Sequence, residues 1–339
     1  MMRIKPILVC LTITLLVASS LYAGNDDRIG TAGAQELRIP VGSRASAMAG
    51  ANIADVTGTE ALFWNPAGVA YQEGTEAMFT HIEYLADINV NYVGVATNIE
   101  DFGTIGLQAK IISFGEMEIT TWDRAQGTGE TFDPTFSVIG LTYSRIFTDR
   151  VSFGLTANLI NEKVEQVSAT GVGFDFGFVY DPLWQGLKFG IAVKNYGPQM
   201  SFTGEGFNVA NDVPDTEPGT QAKTYRTQSA EFELPAYVQL GATWDFVDQG
   251  LNRAVLAGSF QSNNFSQDEF RGGIEYSYND AVFLRGGYIG SSQDDFMYGL
   301  TLGAGLKYSW GQNAITFDYS WVETEYFDNT QFFTAKFSF

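Results

Sequence analysis

Apolar and polar residues alternate along the chain from about Thr75 to the C-terminus, in stretches separated by turn-forming residues. A period of two places successive side chains on opposite faces of a β-strand. The last stretch shows both faces, the apolar one first and the polar one second: Phe333, Ala335, Phe337 and Phe339, then Thr334, Lys336 and Ser338. The pattern predicts an all-β protein built from antiparallel strands.

About fourteen such strands can be counted, an even number, as a single-chain bacterial barrel requires. They lie near residues 75–85, 87–99, 103–113, 134–148, 150–162, 169–181, 187–197, 233–247, 252–262, 267–279, 281–291, 297–310, 313–322 and 330–339. A soluble sheet alternates in the same way, so a secreted β-sandwich or solenoid is the alternative.

The order of residues on the apolar faces favours a membrane-embedded barrel over a soluble sheet. On strand 297–310 the aromatic Tyr298, Tyr308 and Trp310 stand at the ends and leucines lie between them. A lipid belt imposes this order on a transmembrane β-barrel. Leu302 and Phe317 are therefore predicted to face lipid, and a central location for them would contradict the prediction.

The first 23 residues have the three parts of a secretory signal peptide: Arg3 and Lys5, an apolar core, and a small-residue end at Ala23. No later stretch is long and apolar enough for a spanning helix. We expect a signal peptide over 1–23, an N-terminal plug or hatch with short helices over 24–72, and a barrel over 73–339. This predicts a protein of the bacterial outer membrane, in contact with its lipid.

The links between the predicted strands are short at every second position, for example at residue 149 and at 311–312, and several of the others are long. The longest links are 114–133 and 198–232. Periplasmic turns of outer-membrane barrels are short and outer loops are longer. The alternation predicts that both termini are periplasmic.

Small residues dominate positions 30–51, and the stretch A-L-F-W-N-P-A-G ends at Gly68. Pro66 prevents a helix from continuing through Asn65, and Gly68 permits a positive φ, so Asn65, Pro66, Ala67 and Gly68 are predicted to form a sharp turn into the first strand. Ser43, and Thr57 or Thr59, can cap two short helices. A tail outside the barrel is the alternative to a plug.

Together with G-T-A-G-A-Q and R-A-S-A-M-A-G-A, this stretch resembles the PorV/PorQ family, within the group of FadL-like outer-membrane barrels. The close match covers residues 30–70. The resemblance implies a fourteen-stranded barrel without enzymatic activity that acts in protein export of the type IX kind. Its implied partners are secretion-machinery subunits and secreted cargo proteins with a C-terminal signal domain. The terminal Phe337 and Phe339 resemble the assembly signal of such barrels.

Composition excludes several other functions. The net charge of −20 argues against a nucleic-acid partner. Cys10 is the only cysteine and His81 the only histidine, which argues against thiolate metal sites and histidine triads. We predict no catalytic residue, cofactor or metal site. His81 is interpreted as a rim or lumen residue, with a pH-sensitive contact to the plug as the alternative.

Ionisable residues on the polar strand faces are predicted to line the lumen, because charge facing lipid costs roughly 2–4 kcal/mol for Lys or Arg. These residues are Lys110, Asp175, Asp245, Arg271, Glu275, Arg285, Lys307, Asp318 and Lys336. Both signs are mixed, which favours structural salt bridges over a lining for a polar permeant.

Three functions stay open. In the export hypothesis, loops 114–133 and 198–232 hold the partner. In the second hypothesis the protein is a FadL-like channel for hydrophobic small molecules, whose loop aromatics Trp122, Phe132, Phe202 and Phe207 contact an apolar ligand. In the third the barrel is a scaffold. The uptake hypothesis predicts a cavity between the plug and the loops.

Overall fold

The computed structural model describes residues 28–211, 223–292 and 296–339. The predicted signal peptide lies outside these ranges. Fourteen long strands form the main sheet: β1 Thr75–Glu83, β2 Asn89–Ile99, β3 Gly103–Ser113, β4 Thr135–Thr148, β5 Val151–Val164, β6 Val167–Trp184, β7 Leu187–Tyr196, β8 Tyr237–Gln249, β9 Asn252–Asn263, β10 Glu269–Tyr278, β11 Val282–Ser291, β12 Tyr298–Trp310, β13 Asn313–Thr324 and β14 Thr330–Ser338. Each strand pairs with the next, and β14 pairs antiparallel with β1. The sheet is a closed barrel.

The predicted fold class is confirmed, and a β-sandwich is excluded because the sheet closes on itself. The apolar strand faces point outward: Leu302 is 48% exposed and Phe317 is 56% exposed, while the polar Asp318 beside it is buried. An outward apolar face and a polar inward face are the arrangement of a lipid-embedded barrel. None of the helices in the described ranges has the length and apolarity needed to span a bilayer.

The barrel has two distinct ends. Links of two or three residues lie at one of them, hereafter the turn end, and include 100–102, 149–150 and 250–251. The other, the loop end, carries the long links 114–134 and 197–236 together with five shorter ones. The barrel chain begins and finishes at the turn end, where Thr75 and Phe339 exchange backbone hydrogen bonds of 2.8 and 2.9 Å. Short turn-end links thus alternate with longer loop-end links, except that the loop-end link 165–166 also has only two residues.

Residues 28–72 lie inside the barrel and are called the plug. They contain two short α-helices, α1 Ser43–Ala47 and α2 Gly58–Trp64, and 3₁₀ turns at Gln35–Arg38 and Pro66–Tyr71. The side chains from residue 41 to residue 70 are almost all buried. This part of the chain is therefore a plug and not a tail outside the barrel.

The two α-helices are where the sequence predicts them, but they begin without side-chain caps. Ser43 is the first residue of α1 and not its cap, and Thr57 precedes α2 without a capping bond. The Ser43 hydroxyl instead contacts the Thr334 hydroxyl of β14 at 2.7 Å. Contact with the barrel wall thus replaces local capping, as expected for helices too short to be stable alone.

Glycines in the wall make room for the plug backbone. A Cβ added to Gly177 of β6 would lie 2.1 Å from the Asn65 side-chain oxygen, and one added to Gly154 of β5 would lie 2.2 Å from Pro66. The same close approach to the plug occurs at Gly106, Gly190, Gly241, Gly273, Gly287 and Gly303. Plug backbone atoms lie next to Gly154, Gly190, Gly273 and Gly287, and plug side chains next to Gly106, Gly241 and Gly303, at distances too short for an added Cβ.

The predicted turn at residues 65–68 exists, but for a different reason at its last position. Asn65 accepts a hydrogen bond from the Ala67 amide and donates one to the Ile53 carbonyl, and Pro66 starts the 3₁₀ turn. Gly68 does not have a positive φ. It is needed because a Cβ there would lie 2.0 Å from the Val56 carbonyl oxygen.

Candidate functional site

An ionic network joins the plug to the wall near the turn end. Glu275 of β10 accepts hydrogen bonds of 2.9 Å from two nitrogens of the plug residue Arg44 and one of 2.6 Å from Arg285 of β11. Arg285 also contacts Asp318 of β13 at 2.6 Å. These groups are buried, so removal of one partner would leave the others as uncompensated charges.

Asp55 of the plug is the second node of this network. Its carboxylate lies 2.9 Å from Arg44, 3.3 Å from Lys188 and 3.7 Å from Arg253. Burial alone would raise the pKa of Asp55, but these three cations outweigh it and hold the pKa below its ordinary value. Asp55 is therefore charged at neutral pH and binds the plug to β7 and β9.

Nearer the loop end, two wall lysines hold the plug residue Phe63. The Lys110 and Lys194 amines each lie 4.9 Å from the centre of its ring, a cation–π distance. Lys194 also donates to the Phe63 carbonyl and forms a 2.7 Å ion pair with Asp175. Lys110 donates to the Glu36 and Ile39 carbonyls at 2.7 and 3.1 Å. Both lysines thus bind plug backbone, which explains why they are tolerated inside.

A cavity of about 270 Å³ lies between the plug and the loop-end half of the wall. Phe63 and Trp64 of the plug form part of its lining and are buried, whereas Gln35 is exposed. Its other lining residues are Arg38, Pro40, Ser46, Ala49, Gly50, Tyr84, Tyr237, Gln261, Glu269, Arg271, Ile289, Met297, Tyr298 and Val322. Mostly apolar walls with a few convergent polar groups are typical of small-molecule sites.

The polar groups of the cavity carry net positive charge. Glu269 accepts from Arg38 at 3.0 Å through one oxygen and from the Arg271 guanidinium through the other. Arg271 also donates to the Ala49 carbonyl at 3.3 Å. Two guanidinium groups share one carboxylate here, so a polar or anionic group on a ligand would meet an attractive potential.

Two tyrosines close another side of the cavity. The hydroxyls of Tyr84 and Tyr298 are 2.9 Å apart. Burial raises the pKa of Tyr84, so its hydroxyl stays protonated and can donate. Both residues come from the loop end, at the end of β1 and the start of β12.

Tyr298 corrects a prediction. The alternation places it on the lipid face with Leu300, but it lines the cavity. The ladder between β12 and β13 shifts register between Tyr298 and Thr301. A bulge of this kind inserts an extra residue and reverses the facing of the residues beyond it.

The nine charged residues predicted to line the lumen occupy different levels of the barrel. Lys110, Asp175, Glu275, Arg285 and Asp318 are buried, and Lys336 lies 3.6 Å from both Glu60 and Asp318. Asp245 pairs with Arg253 at 2.6 Å. Lys307 pairs with exposed Asp280 at the turn end. Only Arg271 lines the cavity. Within the described ranges, no cluster of His, Cys, Asp or Glu has the grouping of a metal site.

The loop aromatics and His81 lie elsewhere. None of Trp122, Phe132, Phe202 and Phe207 lines the cavity. Trp122 is fully exposed, and Phe202 packs on Phe232 with ring centres 5.6 Å apart. His81 alternates with inward Thr80 and Ile82, so it faces outward, contacts Asn91 at 2.9 Å and makes no plug contact. Of the interpretation as a rim or lumen residue, the lumen part is therefore wrong: His81 lies on the outer face, two residues from the loop end of β1.

The terminal aromatics lie at the turn end, where the Phe337 and Phe339 rings are 5.3 Å apart. Phe337 is outward-facing and partly exposed. Their role as an assembly signal stays a prediction.

The sequence analysis missed most residues of the cavity, including Arg38, Trp64 and Tyr237. These residues come from segments about 200 positions apart in sequence, and no local pattern joins them. The only available signal was the aromatic pair Phe63 and Trp64 in a segment rich in small residues.

Solved structures of other proteins share the fold of this chain. No family model matches the chain, and a search of curated proteins finds no match. Solved structures do match, among them "CymD monoaromatic hydrocarbon channel", with 14% identity, a TM-score of 0.54, and coverage of 89% of this chain and 98% of that one. The Pseudomonas putida toluene transporter TodX gives 14% identity, a TM-score of 0.52, and coverage of 88% and 96%. A Pseudomonas aeruginosa FadL homologue gives the same identity and TM-score, with coverage of 88% and 98%. The chain has the fold of FadL-like barrels.

Proposed function

We propose that the protein admits small hydrophobic molecules across the bacterial outer membrane and that they bind in the loop-end cavity. The cavity carries this proposal: it lies between the plug and the loop-end wall and combines apolar walls with a few polar groups. The shared fold of channels described as carrying monoaromatic hydrocarbons and toluene supports it. In this proposal the protein has no enzymatic activity.

The volume of the cavity sets the size of the ligand. A protein cavity of about 150 Å³ holds benzene, and drug-sized ligands need about 300 Å³ or more. A cavity of about 270 Å³ therefore fits one substituted ring or a short aliphatic chain. Trp64 and Phe63 supply the aromatic surface, and the Arg38 side supplies the polar edge.

We further propose that residues 1–23 are removed as a signal peptide, that 24–72 form the plug domain and that the turn end lies in the periplasm. The acidic loops 114–134 and 197–236 would then face the exterior, where they remain in water. The export hypothesis rests on the PorV/PorQ resemblance alone. The export hypothesis is tested by a pull-down from detergent-solubilised outer membrane, which should recover secreted proteins that share a C-terminal domain.

The uptake proposal can be tested by fluorescence quenching in nanodiscs. Bromine quenches nearby tryptophan, so 4-bromotoluene should quench a saturable part of the emission, and this part should vanish in Trp64→Phe. Ile289→Phe places a larger side chain in the cavity. The solute would then have to share the space with it, and because overpacking costs about 1–3 kcal/mol, the affinity should fall about tenfold. Ile274→Phe makes the same change on the outward face and should have no effect. Saturable quenching that persists unchanged in Trp64→Phe and Ile289→Phe would place the solute elsewhere.

A further inference from the structure

A carboxyl pair lies buried where the N-terminal segment, residues 28–39, meets the wall. Glu36 of the plug is 4% exposed and Glu162 of β5 is 3% exposed. Apart from its own backbone amide and the Glu162 carboxyl, no group in the described ranges offers a hydrogen bond to the side-chain oxygens of Glu36. Its interacting neighbour is the Glu162 carboxyl, also an acceptor when ionised. Two buried carboxylates in contact repel each other unless a proton lies between them.

The nearby Lys110 does not neutralise the two carboxylates. Lys110 of β3 donates to the backbone carbonyls of Glu36 and Ile39 and not to the carboxyl groups. Lys194 and Asp175 lie beyond Lys110 and pair with each other. The remaining charged groups of the segment, Arg28 and Arg38, bind Glu233 and Glu269. Each of these nearby cations therefore binds another group, and a shared proton is what can neutralise the Glu36–Glu162 pair.

The segment that carries Glu36 also borders the cavity. Gln35 and Arg38, on the same 3₁₀ turn as Glu36, line it, and Gln35 is exposed to solvent. Leu37 anchors the turn in an apolar cluster with Val138 and Ile160. Movement of this turn away from β5 would open one side of the cavity.

We propose that the Glu36–Glu162 pair is a proton-binding latch, which holds the N-terminal segment over the cavity when it is protonated and loosens it when the proton is lost. This inference goes beyond uptake, because the latch concerns the position of the segment whatever the cavity binds. It also assigns a role to a buried acidic pair that the binding of solutes does not use.

The direction of the pH effect follows from the chemistry. Burial first, and then the Glu162 charge, raise the pKa of Glu36 to about 8 in the docked state from an ordinary value of 4.5. A raised carboxyl pKa means that the docked state takes up a proton, so docking is favoured at low pH and weakens as pH rises from the undocked to the docked pKa. The docking equilibrium should fall by at least about tenfold across this range.

Spin-label mobility measures the segment directly and does not depend on transport. The chain has a single cysteine, Cys10, so Gln35→Cys in a Cys10→Ser background takes one label in nanodiscs whether or not residues 1–23 have been removed. The label should be immobile at pH of about 5 and mobile at pH of about 9.5. Glu36→Gln replaces the carboxyl with an amide that can donate to Glu162 and should keep the label immobile throughout.

The matched control is Glu165→Gln, in the exposed turn that follows β5, which should keep the transition. Glu162→Gln removes the other carboxyl of the pair and should also abolish the change of label mobility with pH. A label whose mobility does not change with pH in the parent protein would overturn the latch. A transition that persists in both Glu36→Gln and Glu162→Gln would overturn it as well. Quenching by 4-bromotoluene is read separately, so the latch and the uptake proposal can fail independently.

Discussion

The plug contacts the wall differently toward the two ends of the barrel. Toward the turn end, Arg44 pairs with buried Glu275 of the wall at 2.9 Å, and Asp55 lies 3.3 and 3.7 Å from the partly exposed Lys188 and Arg253. Wall glycines bring the wall close to the plug. Toward the loop end, the same plug leaves a cavity of about 270 Å³ with aromatic walls. One side is packed and charged, whereas the other is open and largely apolar.

In the uptake proposal, this difference is what would let a closed barrel bind a solute. The ionic side fixes the plug, because buried charges that lose their partners are costly. The cavity side can then remain unfilled, because its own contacts to plug carbonyls, from Lys110, Lys194 and Arg271, leave the space beside Trp64 open. Changes on the ionic side should therefore affect stability and leakage, and changes on the cavity side should affect solute binding.

The largest effect is expected at Glu275. Glu275→Ala leaves Arg44 and Arg285 without their shared buried carboxylate, and loss of one partner of such a network costs about 3–5 kcal/mol. The free energy of unfolding, measured by urea denaturation of the protein refolded in lipid vesicles, should fall by that amount.

The control for Glu275 is Asp280→Ala. Asp280 pairs with Lys307 at 2.6 Å but is exposed, and exposed pairs contribute about 0–1 kcal/mol. Equal losses in the two variants would remove the distinction between a charged, fixed side and the rest of the barrel.

A smaller effect is expected at the wall glycines. In Gly177→Val the new side chain overlaps Asn65, and overpacking of this kind costs about 1–3 kcal/mol. The plug should therefore be displaced about ten to a hundred times more often. Ionic conductance across planar bilayers reports this directly, as an increased frequency of open events.

Gly272→Val is the matched control for the leak. Gly272 lies on β10, is exposed, and has open space where a Cβ would be. It should conduct like the parent protein. If Gly177→Val is equally silent, the plug does not depend on close approach to β6.

The smallest effect is expected at Tyr84. Tyr84→Phe removes the 2.9 Å hydroxyl contact with Tyr298 at the cavity wall. A hydrogen bond of this kind contributes about 0.5–1.5 kcal/mol. The urea midpoint should shift slightly, while conductance stays at the parent level. A conductance increase as large as that of Gly177→Val would show that the Tyr84–Tyr298 contact holds the plug in place.

The sequence predicted the barrel well because its signal is repeated on every strand. All fourteen predicted strands correspond to strands of the structure, and their order around the barrel follows from the chain. The plug was recognisable by its small residues and by the Pro66 turn. The reason for those small residues, contact with glycines on distant strands such as Gly154, was not readable from local sequence.

The uptake hypothesis predicted a cavity between the plug and the loops, but the residues that line it could not be predicted, for two physical reasons. Its lining comes from the plug, from the segment between β8 and β13, and from Tyr84 after β1, so its shape depends on the position of the plug in the barrel. One register shift also brings Tyr298 inward, and a period-two pattern cannot detect a single extra residue. The lumen charges were foreseeable as a class because lipid excludes them, but their partners, such as Arg44 for Glu275, were not.

The central claim is that solutes bind on the open side of a plug that stays in place. Crystals soaked with 4-bromotoluene and measured at the bromine absorption edge test it most directly. The account predicts an anomalous peak between Trp64 and the Arg38–Arg271 side of the cavity, with Arg44 and Glu275 still paired. Bromine found only on the outer surface of the barrel, or in a lumen from which the plug has moved, would contradict it.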